Sequence, residues 1–381
     1  MLKLYYVANA RMPNEKAHGI QIARMCEAFL ACGVDLTLIV PGRSQSTQTL
    51  QKFYGLSHEV PVVKIPTLRL YTAGRIGFAT SSFFFMGATQ IYLWYKKVRG
   101  EKFTIYTVDM DNFSYVLLPF AGKTFTEMHT PKDISWLQRF FFKRVGGVIA
   151  TNGLIRQRLI DDYSIPEVKI IAEPNGVNVK QFMLSVYRAE AREKLLLPQD
   201  KKIVLYIGRF YKWKGLDILP AACEKLLGDT ICYVVGGTKA EFLKIVGKAT
   251  LPENMFFAGE RPASEIPLWL QAADALLQLG TAKNEDSNKY TSPMKMFEYM
   301  ASGVPIVASA TPAVKDVLSR EEAFFYEPDD AESLRIAIQQ ALKSEDALVR
   351  AGRAQVKAKS LSWDNRAKKI LAFIGAADTL K

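Results

Sequence analysis

The sequence predicts an α/β protein built from two Rossmann-like domains. Three observations carry that reading. Residues 2–8 form a short apolar run, followed by a polar loop, an amphipathic stretch at 20–31, a stop at Gly33 and a second apolar run at 34–40, which is a strand–loop–helix–strand unit. The same alternation restarts at residues 202–207, which run into Gly208 and Arg209. Near the end, residues 294–300 favour a helix, Ala301-Ser302-Gly303 a turn, and 304–308 a buried strand. A chain of 381 residues with 49% hydrophobic and 23% charged content has ample material for two or three well-packed domains.

In the amino-terminal half, Ile22, Met25, Cys26, Phe29 and Leu30 share one face of the first helix. Gly19 stands at its entrance, where it either lets a phosphate approach the backbone or caps the helix. No GxGxxG follows the first strand, which argues against a nicotinamide enzyme. Further strands are predicted at 60–66, 103–108, 123–128, 147–151 and 168–172, and Asn152 caps a helix over 154–163. Asp109-Met110-Asp111 is a DxD, a pattern that can hold a metal on a diphosphate but sits here in a strand-end loop. His129 follows the 123–128 strand. Carboxyl ends of parallel strands are where ligands bind, although a lone histidine there also serves structure.

In the second half, Gly208 to Gly215 sets Arg209, Lys212 and Lys214 between a strand and a helix. Arg209 can bond two phosphate oxygens and Lys214 supplies a point charge; the alternative is a solvated basic turn. Strands at 230–235, 254–257 and 274–279 end in the turns Gly236-Gly237, Gly259-Glu260-Arg261 and the polar stretch 280–290. Ser292-Pro293 opens the helix at 294–300. Its amino-terminal N–H groups suit a phosphate, and Glu298, about one turn in, can accept two hydrogen bonds from a diol. An ordinary amphipathic helix with an exposed Glu fits the same residues. The tail reads as amphipathic helices at 331–343 and 346–359 and a last one starting around Leu361-Ser362-Trp363.

Residues 291–309 resemble the donor-site motif of the retaining, GT-B fold glycosyltransferases of family 4, the group 1 glycosyl transferases. In that family a Glu-x7-Glu signature precedes a Gly-x-Pro-Val/Ile-Val strand. Glu298 falls on its second Glu, and Tyr290 stands where the first would be. The resemblance covers nearly the whole chain and implies two facing domains with an interdomain cleft. It implies an acceptor-binding domain at 1–185, a donor-binding domain at 186–361, and a C-terminal helix at about 362–381 packing back on the first. It further implies that a sugar, from a UDP- or GDP-sugar, moves to a glycan or lipid-linked acceptor in cell-surface polysaccharide or glycolipid assembly. Arg209 and Lys214 would hold the diphosphate, with Gly19, Gly237 and the backbone N–H groups of Met294 and Lys295. Glu298 would hold the ribose, the turn at Arg261 the base, and His129 the sugar, with Glu127 orienting His129 or lining the acceptor side. Glu285 or Asp286 would replace the missing first Glu, and no metal or cofactor would be required. A GT-B epimerase, a glycoside phosphorylase or a donor-binding inactive partner subunit are the other readings.

Net charge is +12, and residues 1–186 hold 22 Lys and Arg against 13 Asp and Glu, while 187–381 hold 28 against 25. A basic first half suits an acidic substrate or an anionic membrane surface; no nucleic-acid module is recognisable. Residues 76–95 are uncharged, compatible with a half-buried helix, a helix lying on a membrane, or a span. Residues 134–145 mix Trp136 and three Phe with Arg139, Lys143 and Arg144, again a surface-helix composition. Cys26, Cys32, Cys223 and Cys232 form no metal spacing. They read as reduced, and the protein as cytoplasmic, with peripheral attachment at the inner membrane face as its membrane option.

Overall fold

The computed structural model describes residues 1–43, 48–68, 70–108, 115–131, 134–226 and 228–379. They form two compact units, Met1–Asn175 with Trp363–Lys381, and Gly176–Ser362. The chain passes from one to the other at Asn175-Gly176 and back at Ser362-Trp363.

The first unit holds seven strands: β1 (Lys3–Val7), β2 (Asp35–Pro41), β3 (Val62–Ile65), β4 (Thr104–Val108), β5 (Lys123–Met128), β6 (Gly147–Ala150) and β7 (Ile170–Ala172). All pair parallel in the order β3-β2-β1-β4-β5-β6-β7. The second unit holds β8 (Lys202–Ile207), β9 (Thr230–Val235), β10 (Met255–Gly259), β11 (Ala275–Gln278), β12 (Ile306–Ser309) and β13 (Phe324–Tyr326), ordered β10-β9-β8-β11-β12-β13. In each sheet the order reverses beside the first strand of the unit: between β1 and β4, and between β8 and β11. Loops at the carboxyl ends of strands flanking such a reversal form a crevice.

Both faces of each sheet are covered, so the strands carry apolar residues at successive positions rather than alternating ones. In β8, Ile203, Leu205 and Ile207 enter one core, while Val204 and Tyr206 enter the other. In the first unit the rings of Tyr6, Tyr106 and Phe29 meet edge-on, with centroids 5.0 and 5.4 Å apart.

The Trp363–Thr379 helix packs on the Ala17–Ala31 helix. The uncharged stretch is a helix, Gly74–Val98, with one side buried. No helix among the described residues is long and apolar enough to cross a membrane, which removes the spanning option. The helix expected at 134–145 is confined to Trp136–Phe142, because Ser135 caps it through Gln138 N. β12 begins at Ile306 rather than 304: Pro305 has no N–H and serves the ladder through its carbonyl, which accepts from Leu276 N at 2.9 Å.

Candidate functional site

In the second unit, glycines press three loops together. Gly208 follows β8 at φ +140°, and Gly236 follows β9 at φ +123°. A Cβ on Gly236 would lie 2.6 Å from Gly208 O, and one on Gly215 would lie 2.5 Å from Gly280 O, beyond β11. Only residues without a side chain allow those approaches, in backbone conformations that L side chains resist. Gly237 is similarly pressed on the Phe210 ring, its Cβ position 2.5 Å away.

Into this crevice come two ammonium groups. Lys214 ends the short turn Lys212–Lys214 and donates to Arg209 O at 2.9 Å. Its pKa falls to about 8, first through burial and then through the neighbouring Arg209 charge. Lys295, in the first turn of the Met294–Ser302 helix, lays its ammonium over the Tyr206 ring, 4.1 Å from the centroid. That Nζ is buried and makes no hydrogen bond. Burial, and then Lys214, push its pKa well below normal, with Glu298 pulling the other way. The Glu298 carboxyl is raised to about 7 by burial, against the opposing pull of Lys295. Gly208 is the point of convergence: Nζ of Lys214 and Cδ of Lys295 lie 3.6 and 3.9 Å from its Cβ position.

The helix carrying Lys295 and Glu298 is fixed by Tyr299, whose hydroxyl accepts from Ile207 N at 3.1 Å. Pro293 precedes it without a side-chain cap, so the helix's amino-terminal N–H groups, those of Met294 and Lys295, receive none there. Arg209 is exposed on the same loop. The structure thus gathers Arg209, Lys214, Met294, Lys295 and Glu298 beyond the carboxyl end of β8. Gly237 lies beside them after β9. Arg261, past β10, is engaged locally: it donates to Ala258 O at 2.9 Å and stands 5.7 Å over the Trp269 ring. Glu285 is exposed and accepts from Tyr290 Oη at 3.2 Å and from Lys289. Tyr290, buried, puts a hydroxyl rather than a carboxylate at that motif position.

The first unit gathers a second cluster. Glu127, the next-to-last residue of β5, is fully buried. It accepts from Gln21 Nε2 at 2.8 Å, Arg366 Nη2 at 2.8 Å and Nη1 at 3.1 Å, and the Tyr106 hydroxyl. His129 Nε2 lies 2.8 Å from Glu127 Oε1. Burial alone would raise the Glu127 pKa, but Arg366 and His129 bring it to about 2. His18 stands in the same field; burial, then Lys16, His129 and Arg43, lower it to about 4. Gly19 is not a helix cap: the helix begins at Ala17 after Lys16. A Cβ on Gly19 would come within 2.6 Å of Tyr54 Oη and 2.7 Å of the Asn14 amide, so packing requires the glycine.

Sequence reasoning missed the side chain of Lys295, having assigned that residue through its backbone, and it missed Arg366 and His18. The Asp109-Met110-Asp111 motif lies outside the described residues. Among the described residues no three His, Cys, Asp or Glu side chains gather to hold a metal. The four cysteines are unpaired.

Residues 187–358 match the family described as glycosyl transferases group 1. Alpha-monoglucosyldiacylglycerol synthase of Streptococcus pneumoniae is 26% identical over 198 residues, 50% of this chain and 43% of that protein. D-inositol 3-phosphate glycosyltransferase of Actinosynnema mirum is 28% identical over 248 residues, 60% of this chain and 57% of the other. The matched segments therefore span about half the length of these relatives. The sucrose-phosphate synthase of Thermosynechococcus elongatus superposes with a TM-score of 0.75 at 18% identity, over 100% of both chains. Anabaena Alr3699/HepE, solved in complex with UDP-glucose, gives 0.73 at 14% identity over 99% of this chain and 100% of that one. At those identities the likeness establishes the fold, two parallel-sheet α/β units of the GT-B type. The family match therefore falls within the second unit, the one that carries Lys214, Lys295 and Glu298.

Proposed function

We propose that the chain transfers a sugar from a nucleotide diphosphate sugar to a glycan or lipid-linked acceptor, with retention at the anomeric carbon. The observation that carries this is the buried Lys295 ammonium, without a hydrogen bond, beside Lys214 at the end of β8. An uncompensated buried cation is costly. An anion in the crevice would offset that cost, and a diphosphate is an anion that could meet Arg209, Lys214, Lys295 and the helix N–H groups together. Glu298 then lies about one turn further along the same helix, where its carboxylate can accept from a ribose diol.

As the bond between sugar and diphosphate breaks, negative charge grows on the leaving phosphate. Arg209, Lys214 and Lys295 stabilise that charge from fixed positions, which lowers the barrier. Glu127, charged and saturated by donors, is no proton acceptor; its part is to hold His129. In the front-face mechanism we favour, the departing diphosphate takes the acceptor's proton and His129 positions the sugar. Arg261 and Gly237 belong to the donor side. The UDP-glucose complex of Anabaena Alr3699/HepE favours a UDP-sugar over a GDP-sugar, and the S. pneumoniae synthase, by its name a glycolipid enzyme, favours a lipid-linked acceptor. The unpaired cysteines fit a cytoplasmic location.

Thermal shift and calorimetry against UDP, GDP, ADP and their sugar conjugates test the donor. One nucleotide diphosphate should stabilise the protein, and Lys295→Met or Glu298→Gln should each weaken that effect at least tenfold in Kd. Indifference of the folded protein to all of them would sink the reading. Tyr290 in place of a carboxylate favours one second reading, a donor-binding subunit without transfer. Nucleotide binding without product, across an acceptor panel followed by NMR of the anomeric proton, would select it.

A further inference from the structure

Tyr206, the next-to-last residue of β8, is fully buried, and its ring belongs to the core formed with Leu219, Cys223, Leu277 and Tyr326. Its hydroxyl makes no hydrogen bond. Buried hydroxyls are nearly always paired, and an unmet one carries a desolvation cost. Two neighbouring tyrosines show the usual outcome. Tyr299 Oη accepts from Ile207 N at 3.1 Å, and Tyr326 Oη accepts from Gly280 N at 3.2 Å. Of the three, Tyr206 is the one left open. A phenylalanine would fill the same core without that cost, so packing does not account for the oxygen.

The hydroxyl comes up against the loop that follows the strand. The place a Cβ on Gly208 would take lies 3.5 Å from Tyr206 Oη, 3.6 Å from Lys214 Nζ and 3.9 Å from Lys295 Cδ, its three nearest atoms beyond the adjoining residues. That point measures a gap. One atom fits there in ordinary van der Waals contact, and an oxygen shifted by about half an ångström would reach hydrogen-bonding distance. Lys295 bounds the gap, its ammonium 4.1 Å from the Tyr206 ring centroid. It stands over the ring face, and an ammonium is a donor that cannot accept from the hydroxyl. Burial, and then Tyr299 and Tyr326, hold the Tyr206 phenol well above its ordinary pKa, so it keeps its proton and acts as a donor.

We propose that the Tyr206 hydroxyl is a further binding residue of the crevice, donating to a phosphate oxygen that Lys214 and Lys295 neutralise. The inference rests on the diphosphate reading above and adds to it a neutral donor from the strand itself. A phenol and two ammonium groups beside one glycine share a single need, an acceptor, and phosphate oxygens accept from all of them.

The test is calorimetry of the wild-type chain and of Tyr206→Phe with inorganic pyrophosphate, UDP, GDP and ADP near neutral pH, beside denaturant melts of both proteins without ligand. Tyr206→Phe should weaken pyrophosphate and the preferred nucleotide diphosphate alike, by about tenfold in Kd, as for a hydrogen bond to a charged group. The ligand-free variant should be at least as stable as the wild type, because it loses an unmet hydroxyl. Equal affinities of the two proteins would overturn the inference and leave the diphosphate reading standing. So would a destabilised variant of unchanged affinity, since the hydroxyl would then serve an internal water. Failure of the folded wild type to bind any of the four would overturn the diphosphate reading itself, and this inference with it.

Discussion

Replacing Arg366 by Met removes two of the five contacts on a fully buried carboxylate, together with its neutralising charge. The fall of Glu127 from the usual 4.5 to about 2, at about 1.4 kcal/mol per pH unit, corresponds to about 3 kcal/mol. Burial works against the ionised form, so with Arg366 gone the loss should reach about 3–5 kcal/mol, as for other half-deleted buried pairs. The sign with pH follows. In the wild type the folded pKa lies below the unfolded one, so Glu127 contributes stability that is full above 4.5 and lost as pH falls toward 2. In Arg366→Met burial dominates, the folded pKa rises above 4.5, and the group can be buried protonated in acid. The deficit of the variant should therefore be full at pH 7 and shrink toward pH 4. Hydrogen exchange of the β5 amides in urea reads the first unit alone. Adding Glu127→Gln to Arg366→Met should recover more than half of the loss at pH 7. A deficit under about 1 kcal/mol at pH 7, or one of the same size at pH 4.5, would refute the reasoning.

Three further outcomes follow from the second unit. Lys295→Met should weaken nucleotide diphosphate binding at least tenfold yet stabilise the ligand-free protein by about 1–3 kcal/mol, because it removes an unsatisfied buried ammonium; denaturant midpoints with and without nucleotide read both, and a destabilised apo variant would contradict the assignment. Glu298, raised to about 7 in the fold, binds a proton in the folded state that the unfolded chain has released between about pH 4.5 and 7. Its burden on stability is absent below 4.5 and full above 7, so Glu298→Gln should flatten the stability–pH curve in that interval; an unchanged slope there would count against it. Lys214, lowered to about 8, should take up a proton when a diphosphate binds, so affinity should fall above pH 8 and the calorimetric heat at pH 8.5 should depend on the buffer's ionisation enthalpy; no buffer dependence would exclude Lys214 as a phosphate contact.

The sheet strands were legible wherever a strand was a continuous apolar run between turn residues, as at β1, β4, β5, β8 and β9. β13, three residues long, gives no periodicity to read. The Gly208–Gly215 loop was legible because glycine and cations at that spacing have few other uses. The direction of the Lys295 side chain was not, since a first-turn position does not say which neighbour a four-carbon stem will reach; Gly208 and Tyr206 decide that in three dimensions. Arg366 was beyond reach for another reason. It stands 239 residues from Glu127 in sequence, and a lone Arg on an amphipathic tail helix looks solvated until the helix docks. For Gly19 the need for an absent side chain was legible, and the Asn14 and Tyr54 contacts that also require it were not.

The two charge clusters differ in a way that separates scaffold from site. Around Glu127, a buried carboxylate is met by an amide, a guanidinium, a hydroxyl and an imidazole. Its charge is matched and its acceptor capacity filled. Such a closed network asks nothing of solvent or ligand; it fixes β5, the Ala17–Ala31 helix and the C-terminal helix together and holds His129 at the strand end. Around Gly208 the accounting stays open. Two ammonium groups disfavour each other, one lacks any acceptor, and a carboxylate nearby is raised toward neutrality. Folding alone gains nothing from that arrangement, and the glycine approaches that create it are themselves conformationally demanding. A polar network left incomplete in a tightly built crevice is best explained by a group that arrives from outside. The sign of the deficit suits an anion, as in the function proposed above, and Glu298 further along the same helix suits one attached to a group with hydroxyls to donate.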